Sequence, residues 1–360
     1  MQGLFEPTAS APAEAPGVWL RVIPFIVLAF GLTWLLDLAI WLRGGLAQPF
    51  TGLALQLQML IPASSVILLG LFSPRFGSGR VRESTGQARR FFYFFLLLAA
   101  AYVVCAAAAM VLPDPLPALV VGQALTFVGI IGLLVLRLAK GRETFTRAGL
   151  TFGKPIHWLA YGAAIVAFYS LMAALNRLFG LGSVPDRSAL LQSTGMPPEV
   201  FLVLAAVQTV VVGPFLGLVI TFGEEYGWRG FLQGELVKLG RVRGVLAVGV
   251  IWGLWHAPVI AMGYNFPGYP VIGIFVMVAF CVVAGFVLGY AVLKTGSVWL
   301  SAFAHAITNQ VVAFLLAIVY LPRDPVLQFD GGIYGILIGA LIVVLILRDP
   351  VWKAKDQLSS

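Results

Sequence analysis

Cysteine and charge are scarce in this sequence. Two cysteines occur in 360 residues. Cys105 and Cys281 each stand alone inside apolar runs, which excludes a disulfide framework and a CxxC metal pair. They fit as small apolar fillers. Charged residues make up only 11% of the chain, against about a quarter in soluble globular proteins. Short alternating strands are also missing, which excludes a membrane β-barrel. What is present instead is continuous apolar sequence: 60% hydrophobic residues and a mean hydropathy of +0.96. Runs of about 18 or more apolar residues read as transmembrane helices. The fold class is therefore an all-α polytopic membrane protein.

Ten spans are predicted, at 20–42, 51–72, 91–112, 116–138, 157–179, 200–222, 244–263, 270–293, 297–319 and 331–348. The first 17 residues are rich in Ala, Pro and Glu and carry no Lys or Arg. They lack the basic start and short apolar core of a cleavable signal peptide and read as a disordered tail. The net charge of +8 does not point to nucleic acid, because the basic residues fall in loops beside spans. Arg21, the loops after spans two, four, six and eight, and the C-terminal segment hold 19 of the 23 Lys and Arg. Only Arg43, Arg177, Arg187 and Arg323 fall on the other side. Basic loops stay inside, so both termini are expected in the cytoplasm of a multi-pass cell-membrane protein. Trp41, Trp158 and Trp299 mark span ends, where an amphipathic ring prefers the interface. Gly285-x-x-x-Gly289 and Gly335-x-x-x-Gly339 permit close helix contact. No internal repeat of the kind that builds many transporters is found.

Ionisable groups in or beside hydrocarbon are costly and mark function by default. Here they gather in three segments: Thr221-Phe-Gly-Glu-Glu-Tyr-Gly-Trp-Arg-Gly230, Ile251-Trp-Gly-Leu-Trp-His-Ala-Pro258 and Ser301-Ala-Phe-Ala-His-Ala-Ile-Thr-Asn309. Glu224 and Glu225 are expected at the end of span six, pointing about 100° apart. Arg229, four residues on, can pair with Glu225, leaving Glu224 to face elsewhere. His256 lies about twelve residues, or about 18 Å, into span seven, and Pro258 should kink the helix beside it. His305 lies about eight residues into span nine, with Asn309 on the same face. His157 is assigned to a helix start at the interface, with no site role. Singly, each group has a bland reading: a capped helix end, a structural histidine, or a hydrogen bond between helices.

Together they are a carboxylate and two histidines on three helices, reachable from the cytoplasmic half. A carboxylate beside a His can activate a water. A His and an Asn facing it can stabilise an oxyanion. The same Glu224, His256 and His305 can instead hold a zinc ion that activates the water. A non-catalytic binding or immunity protein, a transporter, and a structural scaffold are the competing readings. The gathering of polar groups toward one side tells against a path through the membrane.

Glu224-Glu225-x-x-x-Arg229, Trp252-x-x-x-His256 and His305-x-x-x-Asn309 resemble, in order, the motifs of the CAAX prenyl protease and bacteriocin-processing (CPBP, or Abi) family of intramembrane proteases. The resemblance covers roughly residues 198–315. It divides the chain into the tail (1–17), N-terminal membrane helices (18–197), a protease core (198–315), and a last helix with its tail (316–360). It implies an intramembrane endopeptidase acting on a peptide or protein substrate. Glu224 would be the general base with His256, and His305 and Asn309 would bind the oxyanion or a metal. Glu225 and Arg229 would support the site. The family is called metalloprotease, yet a metal-free glutamate mechanism is also argued for it. Trp252 departs from the Phe more common there and is expected to be a packing wall. Eukaryotic relatives trim prenylated C-termini, whereas bacterial relatives are linked to bacteriocin maturation or self-immunity. Prenylated substrates are not implied for this chain, and its oligomeric state stays open.

Overall fold

The computed structural model describes residues 16–353 apart from positions 74 and 142. The expected tail falls almost wholly outside these residues, and helix begins at Pro16. The first five long helices are α1 (Pro16–Leu42), α2 (Thr51–Phe72), α3 (Gly86–Val111), α4 (Leu116–Leu138) and α5 (Pro155–Leu178). The second half holds α6 (Pro198–Leu216), α7 (Leu218–Glu225), α8 (Arg241–Trp255), α9 (Ala257–Ala261), α10 (Ile272–Thr295), α11 (Val298–Ile318) and α12 (Ile333–Ile346).

Among the described residues eight helices are long and apolar enough to cross a membrane: α1 to α6, α10 and α11. Two of the ten expected spans are shorter than the sequence implied. Span seven is divided into α8 and α9 by a break at His256, where Pro258 can supply no backbone N–H. Span ten shrinks to the 14 residues of α12. Contacts at their ends nevertheless place both between opposite faces. On one face Arg21 pairs with Glu235 at 3.2 Å, Arg241 donates to the Val351 carbonyl at 2.6 Å, and Lys294 pairs with Asp349 at 2.9 Å. On the other face Gly182–Ser183 and Leu321–Pro322 form a two-residue antiparallel pairing. There too Asn176 Nδ2 donates to the Phe329 carbonyl, and the Tyr269 hydroxyl donates to Asp324. The segments around Arg21, Glu235–Arg241, Lys294 and Asp349–Val351 thus share a face, whereas Arg229, grouped with these loops in the sequence, is buried inside the bundle. That this face is the cytoplasmic one rests on the charge bias alone.

The bundle is layered. The best-buried long helix is α2, with 56% of its apolar window inside, whereas α4 and α6 have 17% inside and present Val120, Ile131, Val203 and Val211 outward. Such a shell suits lipid contact, where every backbone group is satisfied within the helix. Small residues let α7 approach α2 closely. A Cβ on Gly223 would lie 2.3 Å from the Met59 carbonyl oxygen, and one on Gly227 would lie 2.4 Å from Pro62 Cβ. Both contacts fall about halfway along α2, so α7 is held against the middle of a buried span. On its other side Phe222 stacks on Trp299 with centroids 4.2 Å apart.

Gly223→Ala should therefore destabilise the fold by about 1–3 kcal/mol, because the facing atoms are backbone and cannot yield. Gly31→Ala, where a Cβ meets nothing within 4 Å, should not. Thermal unfolding of the two variants in detergent checks this, and equal melting temperatures would refute the close approach.

Candidate active site

The sequence placed Glu224 and Glu225 at the end of span six. The helix does not end there. After α7 the backbone continues as a π-helical segment, Tyr226–Leu232, then through Gln233–Leu236 to a 3₁₀ turn at Val237–Leu239. Both glutamates lie inside the bundle, with Glu224 3% exposed and Glu225 fully buried. The Glu225 and Arg229 charges that lowered the apolar signal here pair with each other inside the bundle, which lets the helix continue where hydropathy suggests a loop. π-Helical turns of this kind often occur at functional sites.

Glu225 anchors the centre. Its Oε1 accepts from Arg229 Nη1 and from His305 Nδ1, each at 2.9 Å, and its Oε2 accepts from Ser301 Oγ at 2.5 Å. The expected pairing of Glu225 with Arg229 is present, and neither side chain is exposed. The Arg229 guanidinium lies over the Trp252 ring, 4.0 Å from its centroid, a cation–π contact that desolvation strengthens. Thr221 Oγ1 adds a tie between α7 and α11 by donating to the Ala302 carbonyl at 2.8 Å.

Glu224 faces elsewhere, as expected. Its Oε2 accepts from Trp252 Nε1 at 2.7 Å. Trp252 is therefore more than the packing wall that the sequence suggested, since a Phe there could not donate this bond. Its ring also meets His305 edge to face, with centroids 5.6 Å apart, and lies 5.8 Å from His256. His256 occupies the break between α8 and α9. Its backbone N–H turns to the Gly253 carbonyl, and its ring Nδ1 takes the Trp252 carbonyl at 2.9 Å. A carbonyl only accepts, so Nδ1 carries the proton and Nε2 of the neutral ring presents a lone pair.

Four of the expected residues, Glu224, His256, His305 and Glu225, are linked directly or through Trp252, and Arg229 joins them by its ion pair. Asn309 is different. It lies one turn beyond His305 but is exposed, whereas His305 turns its Nδ1 to Glu225, so the two do not converge on one protein group. His157 falls in the first turn of α5. Ser301 escaped assignment and Trp252 was expected only to pack, although each stands four residues before a site histidine, the spacing that places it on the same helix face.

Among the described residues Glu224 Oε1, His256 Nε2 and His305 Nε2 carry no protein hydrogen bond, and Arg229 Nε and Nη2 are likewise buried without an acceptor. No group of three or more His, Cys, Asp or Glu among the described residues could hold a metal ion as placed. The donor chemistry still fits one. Imidazoles whose Nδ1 is already bonded to a carbonyl or carboxylate, with Nε2 open, are oriented as metal-binding histidines are.

Residues 206–311 match the family model described as Rce1-like, the type II CAAX prenyl endopeptidases. The match takes in all three motifs, from Glu224 to Asn309. No curated protein and no solved structure matches the chain.

Two substitutions should separate the anchoring bonds by size. Trp252→Phe keeps the ring but removes the donor to Glu224, and should cost about 1–3 kcal/mol. Glu225→Gln leaves the Arg229 charge buried without a counter-ion and should cost about 3–5 kcal/mol. Unfolding free energies in detergent check the order; the reverse order would show that Glu225 does not anchor the site.

Proposed function

We propose that this chain, whose residues 206–311 match the Rce1-like family model of type II CAAX prenyl endopeptidases, is an intramembrane protease that hydrolyses a peptide bond with a water activated by Glu224 and His256. The observation that carries this reading is the division of labour between the two carboxylates. Glu225 is saturated by Arg229, His305 and Ser301. Glu224 is fixed through one oxygen by Trp252, while the other stays open. A base must be held in place yet keep a lone pair for its proton.

A water between Glu224 Oε1 and His256 Nε2 gives its proton to Glu224 as it attacks the substrate carbonyl. His305, protonated on both ring nitrogens, donates from Nδ1 to Glu225 and from Nε2 to the developing oxyanion, and the exposed Asn309 amide provides a second donor from the same helix face. Such donors act strongly where water is excluded. Glu224 then returns the proton to the departing amine. A zinc ion, where the protein takes one, would be held by Glu224, His256 and His305 and would lower the pKa of its bound water.

The substrate is a peptide or protein, in or beside the bilayer of the cell membrane, which the protein crosses several times. His305 lies seven residues into α11 from the basic face, about 10 Å, so cleavage toward the cytoplasmic side follows from the charge bias.

Glu224→Gln and His256→Asn should each lower turnover at least about 100-fold without unfolding the protein. The check is a comparison of membrane and secreted protein termini from cells making wild type or Glu224→Gln, by mass spectrometry. Termini that vanish in the variant would support the protease. Identical sets from equally expressed proteins would sink it and favour the binding or immunity reading.

A further inference from the structure

α1 lies outside the segment that matches the family, yet it reaches the residue next to His256 in two ways. Trp255 Nε1 donates to Thr33 Oγ1 at 2.8 Å, with both residues buried. Trp34 Nε1 donates to the Trp255 carbonyl at 3.2 Å. The side chain and the backbone of one residue are thus both tied to consecutive positions of α1.

The place of this tie matters because α8 breaks there. Carbonyls just before a helix break lose their donors four residues on. The Trp252 carbonyl is taken by the His256 ring and the Trp255 carbonyl receives Trp34. The Trp255 ring stands edge to face against the His256 imidazole, with centroids 4.7 Å apart and planes at 82°. Behind it Trp228 packs on Trp255 at 5.7 Å, and Phe25 of α1 packs on Trp228 at 5.5 Å. One wall of the His256 ring is therefore set by a tryptophan that α1 holds.

We propose that Thr33 and Trp34 are positioning residues of the site: by fixing Trp255 they set the orientation of the His256 ring. The first span is then part of the catalytic unit rather than a membrane anchor attached to it. This rests on the reading of His256 as a site residue. An ordinary bond between helices would stabilise the bundle without selectively governing one histidine.

The chain has three histidines, so full-length protein labelled with ¹³C at histidine Cε1 gives three resonances in nanodiscs, each assigned by substitution. Thr33→Val keeps the shape and removes the hydroxyl. It should shift or broaden the His256 resonance while leaving His305 and His157 in place, and Thr33→Ser should restore it. Trp34→Phe should act as Thr33→Val does. With a substrate taken from the terminus comparison, Thr33→Val should lower kcat about tenfold with KM unchanged. A His256 resonance unmoved in Thr33→Val would overturn the proposal, and so would three resonances moving together or an unchanged kcat. If wild type cleaves nothing, the protease reading fails, and the resonances still decide whether α1 positions His256.

Discussion

A carboxylate with no access to water governs this molecule. Removing the charge of Glu225 from water costs several kcal/mol, which only well-placed partners offset. Those partners are Arg229 on its own helical stretch and Ser301 and His305 on α11. Satisfying the charge fixes the rotation and height of α7 against α11. The same bonds point one imidazole in a fixed direction and lay the guanidinium on Trp252, which brings α8 into register. A single buried ion thus aligns the three helices that carry the functional groups, and the second glutamate is released from structural work.

Glycine makes this alignment physically accessible. Gly223 and Gly227 bring the backbone of the acidic stretch against Met59 to Pro62 of α2, at a depth where polar groups have no solvent. The π-helical turn that follows presents Tyr226 to Leu232 at a different angle from an α-helix, and the buried Trp228 and Arg229 both lie within it. Stability here comes from close backbone packing and paired charge, since lipid offers no hydrophobic gain for bringing helices together. The outer helices α4 and α6, with their largely unburied apolar faces, complete the lipid-facing surface around that interior.

Much of this was legible in the residues. Spans came from apolar runs, and the grouping of loops by face came from basic residues. The Glu225–Arg229 pairing came from a four-residue spacing, and the break beside His256 came from Pro258. What escaped had a common cause. Hydropathy counts Glu, Arg, Trp and Gly as loop-like, so the continuation of the helix past Glu225 was hidden by the very groups that pair inside it. Whether Trp252 packs or donates depends on what faces its Nε1, and a sequence does not show what faces a side chain. Asn309 shares a face with His305, yet its neighbour turned toward Glu225, because a charged acceptor outcompetes other partners for an N–H. The shorter α8, α9 and α12 reflect ends unravelled by Pro258 and by the glycines at 331 and 332.

The bond from Trp255 to Thr33 joins residues 222 positions apart, and that interval is also a delay during synthesis. The first two helices enter the bilayer long before their partner exists. Until it arrives, the Thr33 hydroxyl must be accommodated without it. Asp37 and Gln58 approach each other at 3.5 Å, so the α1–α2 hairpin carries a provisional polar contact of its own. The Thr33–Trp255 bond therefore cannot form before residue 255 is made, so the docking of α1 against the His256 region comes late in synthesis whatever the order in which the helices insert.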